Sequence, residues 1–79
     1  SLLTVVYVPP EFGDAWDAPQ NIGGGDWAAY VKGRPFGVLW TEFGTASVVE
    51  DSGGTWASVV RTFSDVRDAV AYAERVAGV

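Results

Sequence analysis

The sequence predicts a small α+β fold: a mostly antiparallel sheet of four to five strands, a meander, with one C-terminal helix packed on one face. Three observations predict it. Short β-prone segments alternate with Gly- and Pro-containing breaks over residues 2–62. A single stretch from Val66 to Ala77 then places Val and Ala at helical spacing. The chain has 79 residues, room for one domain spanning 1–79, so sheet and helix share one core.

Leu2 to Val8 is dense in Leu and Val and reads as a buried first strand, ended by Pro9-Pro10. Residues 9–25 are the least regular stretch, a Pro- and Gly-rich loop holding Pro19 and the run Gly23-Gly24-Gly25. A loop of this length needs hydrophobes of its own to pin it. Phe12 and Trp16 lie four residues apart, so one turn brings them together, ready to fold back over the sheet.

Asp26 to Lys32 is the next strand. Trp27, Ala29 and Val31 share one face; Ala28 and Tyr30 share the other. Lys32-Gly33-Arg34-Pro35 is a turn. Phe36 to Thr41 follows, with Phe36, Val38 and Trp40 on one face and Gly37, Leu39 and Thr41 on the other. Gly44 breaks the chain, and Thr45 to Glu50 forms a further strand. Asp51-Ser52-Gly53-Gly54 is a hairpin turn leading to Thr55 to Thr62.

The helix is the clearest element. Ser64 is a suitable N-cap, and Asp65 and Asp68 place negative charge at the positive end of the helix dipole. Val66, Ala69, Val70, Ala73, Val76 and Ala77 form one apolar stripe, with Asp68, Glu74 and Arg75 away from it. Gly78 is a C-terminal stop. One helix covers one face of a sheet, yet the strands offer apolar residues on both. The second face therefore needs the 9–25 loop, a second copy or another partner.

The chain contains no Cys and no His, which excludes disulfides, zinc fingers, thiolate chemistry and the commonest general base. Stability must come from apolar burial, and 48% of the residues are hydrophobic, with four Trp among them. No apolar run is long enough to span a bilayer, and Ser1 to Val8 lacks the basic flank of a signal peptide. The expected location is cytoplasmic, with no membrane partner. Abundant Ala, Gly, Val and Asp, and Arg in excess of Lys, point to a GC-rich bacterium or its phage. The net charge is −5, and residues 1–26 carry four acids and no base. An acidic chain repels the nucleic-acid backbone.

Among candidate sites, the carboxylate pairs Asp14/Asp17 and Glu50/Asp51 sit in turns, where acids normally meet water, so no catalytic residue is assigned. Glu11, Asp14 and Asp17 lack the spacing of a calcium loop. Gly23-Gly24-Gly25-Asp26 precedes a strand rather than a helix, so it is not a phosphate cradle. Neither metal nor cofactor is expected. The segment from Glu11 to Asp17 alternates acids with large aromatics, and aromatics are typical interface anchors. Phe12, Asp14, Trp16 and Asp17 are thus the candidate partner-binding residues, for another protein or a second copy in a homodimer. The alternative is a nucleic-acid site built from Trp27, Phe36 and Trp40 with the basic turn residues Lys32 and Arg34.

Trp27 on a strand, the Gly33 turn, and Thr62-Phe63 leading into a helix with Ala69, Tyr72 and Ala73 form a pattern over residues 27–77. It resembles that of the arm-binding domains of phage integrases. The resemblance implies DNA binding through the sheet, although those domains are basic there and this chain is acidic. The expected function is a small non-enzymatic protein-interaction domain or accessory protein acting through homo- or hetero-association, with nucleic-acid binding as the alternative.

Overall fold

The structure, a computed structural model, describes residues 12–51 and 58–79. Five strands and one helix follow in chain order: β1 (Gln20–Gly23), β2 (Asp26–Tyr30), β3 (Phe36–Thr41), β4 (Ala46–Glu50), β5 (Ser58–Phe63) and α1 (Val66–Ala77). Each strand pairs antiparallel with the next, in spatial order β1-β2-β3-β4-β5. This is the meander expected of short strands joined by tight turns. The predicted strand at Leu2 to Val8 lies outside the described residues, as does the part of the predicted turn and fifth strand over 52–57.

The first described strand falls inside the stretch read from sequence as an irregular loop. Gln20-Asn21-Ile22-Gly23 has one large apolar residue and no alternation, and all four residues are exposed. Turn chemistry holds it instead of a hydrophobic pattern. The Asn21 side chain accepts from the Gly23 N–H at 3.1 Å and donates to the Gly24 carbonyl at 3.1 Å, closing the turn into β2.

Cross-strand pairs point to the same side of a sheet, so the register sorts the residues into two faces. Toward the helix lie the rows Asn21–Trp27–Trp40–Ala46–Phe63 and Ala29–Val38–Val48–Arg61. α1 packs over β3, β4 and β5, with Val66, Ala69, Ala73 and Ala77 buried. Small side chains let the helix approach the sheet closely. Val76, expected in the stripe, lies at its margin and is exposed. Arg61 at the sheet edge is not wasted on solvent: its guanidinium stands 5.1 Å from the Phe63 ring centre and 5.4 Å from that of Tyr72.

The N-cap is Asp65 rather than Ser64. Val66 packs into the core as the first helical residue, so the cap falls on the residue just before it. The Asp65 carboxylate accepts from the Arg67 backbone N–H at 2.8 Å. At the other end, Gly78 takes φ 78°, a left-handed conformation that costs a side-chain-free residue nothing, and its N–H caps the Glu74 and Arg75 carbonyls.

Candidate functional site

Beyond the reach of α1, the segment 12–17 completes the helix side. Trp16 bridges to Val31, the Lys32 N–H donates to the Ala15 carbonyl at 2.8 Å, and the Asp17 N–H donates to the Tyr30 carbonyl at 2.9 Å. The segment thereby runs along β2 as an extension of β1. Phe12 packs between Trp16 and Trp40, with ring centres 4.9 Å and 5.3 Å away. Trp16 is 4% exposed. Its indole N–H donates to Glu74 Oε2 at 2.9 Å, so Glu74 reaches back across the helix margin to satisfy it. Trp40, under Phe12, is buried with its indole N–H unpartnered.

The four residues singled out as a partner-binding cluster therefore separate. Phe12 and Trp16 turn inward and seal the core, while Asp14 and Asp17 are exposed. The five residues of the nucleic-acid alternative separate likewise. Trp27 and Phe36 are half-buried against the helix-side core and Trp40 lies within it, whereas Lys32 and Arg34 are exposed at the β2–β3 turn. Rings held in the core offer no face for a base to stack on.

The opposite face of the sheet, read from sequence as needing a cover, carries residues that were given no role in the candidate sites. Its rows are Gln20–Ala28–Leu39–Ser47–Thr62 and Tyr30–Gly37–Val49–Val59. Tyr30 is 39% exposed and Val59 62% exposed, at the two ends of the second row. The Tyr30 ring lies over Gly37. A Cβ on Gly37 would collide with that ring and come within 2.8 Å of the Ala29 carbonyl oxygen, so only glycine permits this close approach. Beside Tyr30 is a groove of about 550 Å³, with Ala28, Leu39, Ile22, Gln20, Tyr30 and Asp17 among its lining residues. Asp17 is fixed there by its backbone bond to Tyr30. The strand residues facing this side include one charge, Asp26.

A second exposed aromatic stands at the β3–β4 turn. Phe43 is 87% exposed on a turn held by the Thr41 and Thr45 hydroxyls, 3.0 Å apart, and by its own N–H donating to Thr41 Oγ1 at 3.2 Å. The signal for Phe43 was local and readable: a large ring between Glu42 and Gly44 in a tight turn has no core to enter. The signal for the groove was only half readable, because Asp17 meets Tyr30 through strand pairing that the sequence pattern did not announce.

Among the described residues, no three Asp or Glu side chains gather closely enough to hold a metal ion. Their one helix is too short to cross a membrane. Compared with protein-family models, with characterised protein sequences and with solved structures, the chain matches none.

Proposed function

We propose that this is a small non-enzymatic interaction domain that binds another protein across the helix-free face of its sheet. One observation carries the reading: among the described residues, α1, Phe12 and Trp16 all pack on one side, while the opposite face exposes Ile22 and Tyr30 on β1 and β2 and Val59 on β5, with Ala28, Gly37 and Val49 buried between them. Exposed apolar residues on one sheet face are a mark of a contact surface. A chain without His or Cys lacks the side chains most enzymes use for proton transfer or covalent attack. The net charge of −5 favours a basic protein over a second copy or a nucleic acid. With no cysteine to oxidise, the chain suits the cytoplasm, and its composition suits a GC-rich bacterium or its phage.

The test is affinity capture of the tagged domain from a GC-rich bacterial lysate, with and without nuclease, using wild type and Val59→Ser. A protein that survives nuclease and is lost with Val59→Ser supports the reading. Recovery of nucleic acid, or capture indifferent to Val59, overturns it. Recovery that depends instead on Lys32 and Arg34 returns the assignment to nucleic-acid binding.

A further inference from the structure

The groove beside Tyr30 has a chemistry of its own. Its lining includes the apolar residues Ala28, Leu39 and Ile22, the polar Gln20 and Tyr30, and one acid, Asp17. No Lys or Arg is among its lining residues. An anionic ligand would meet only repulsion there. A purely aliphatic ligand would leave the Asp17 carboxylate without a counter-charge. A long side chain with an apolar stem and a cationic head matches the apolar, aromatic and acidic lining together. Its methylenes suit the apolar residues, its charge suits Asp17, and the tyrosine ring suits both.

We propose that this groove receives an arginine or lysine side chain from a basic, extended segment of the partner protein. The inference rests on the interaction-domain reading and specifies its partner. A second copy is a poor occupant, because each copy brings a net charge of −5 and both would bring Asp17 and Asp26 to the contact. The geometry is built rather than incidental. The Asp17 N–H bond to the Tyr30 carbonyl sets Asp17 beside Tyr30, and strand pairing sets Gln20 beside Ala28.

The probe is the synthetic peptide acetyl-Arg-Val-Arg-Val-Arg-amide, titrated into the whole domain and followed by backbone amide NMR shifts. Its glutamate and norleucine counterparts are the controls. The arginine peptide is expected to shift the amides of residues 17–20 and 28–30, with affinity falling as salt rises. Asp17→Asn should weaken it about threefold, the scale of one exposed ion pair. Asp17 is exposed, so this variant keeps its fold, which the unshifted remainder of the spectrum verifies. Equal shifts from the norleucine peptide, shifts confined to other residues, no shift at all, or indifference to Asp17→Asn would each overturn the proposal. Val59 lies outside the groove lining, so a capture assay that fails with Val59→Ser but not with Asp17→Asn keeps the contact face and removes the groove from it.

Discussion

On the helix side of the sheet, the central rows meet a covering. Trp40 lies under Phe12, Ala46 and Val48 lie under the alanines of α1, and even Arg61 is stacked on Phe63 and Tyr72. On the other side, the row Tyr30–Gly37–Val49–Val59 begins and ends in solvent. The same strands make both faces, and period-two alternation gives both of them apolar residues. Among the described residues, the difference lies in where the covering segments pack. A helix of 12 residues spans β3 to β5, and the segment 12–17 reaches β2 from the same side. Among the described residues, both coverings lie on one face. The domain keeps the other face low with Ala28, Gly37 and Ser47 and lays Tyr30 across the glycine. In a domain this small, where stability margins are thin, the proposed contact falls on the face that α1 does not cover.

The sharpest way to break the comparison is Trp16→Ala. It removes a buried indole, its contact with Phe12 and its bond to Glu74, and should cost about 3–5 kcal/mol, enough to unfold much of the population. Urea denaturation measures it. A variant that keeps wild-type stability would return Trp16 to the surface and blur the two faces into one. Next in size is Gly37→Ala, at about 1–3 kcal/mol, because the added methyl displaces the Tyr30 ring and crowds the Ala29 carbonyl. Circular dichroism melting reads the cost, and a shift of the Tyr30 ring resonances reads the displacement. A neutral result would mean that Tyr30 does not lie over the glycine.

Asp65→Ala tests the helix start and should cost about 1 kcal/mol, while Ser64→Ala should cost a few tenths at most. The reverse order would move the cap back to Ser64. A comparably small stability effect belongs to the open face. Val59→Ser should change stability by no more than about 0.5 kcal/mol, as for other exposed positions, and yet abolish partner capture. That pairing of a silent fold effect with a lost contact is the outcome the two-face picture requires.

Much of the architecture was legible beforehand. The alternation in Trp27 to Val31 and Phe36 to Trp40 assigned each residue to its face, and the structure keeps those assignments. The Val and Ala spacing marked the helix, and Gly78 marked its end. β1 was not legible, since Gln20-Asn21-Ile22-Gly23 pairs with β2 next to a turn closed by Asn21 and leaves no hydrophobic signature. Nor was the role of the acidic aromatic segment, where four-residue spacing showed that Phe12 and Trp16 could meet but not which way they would face.

The sequence by itself determined the fold class, the faces of the central strands, the helix and its amphipathic stripe, and the exclusion of histidine and cysteine chemistry. These follow from local periodicity and from composition, which do not depend on distant residues. Only the tertiary structure decided that Trp16 would be sealed beside Glu74, that Asp17 would stand next to Tyr30, and that the helix and the 12–17 segment would pack on the face opposite Tyr30 and Val59. Those outcomes depend on which side of the sheet the helix and the 12–17 segment choose. That choice is made by the fit of side chains far apart in sequence, which no local pattern encodes.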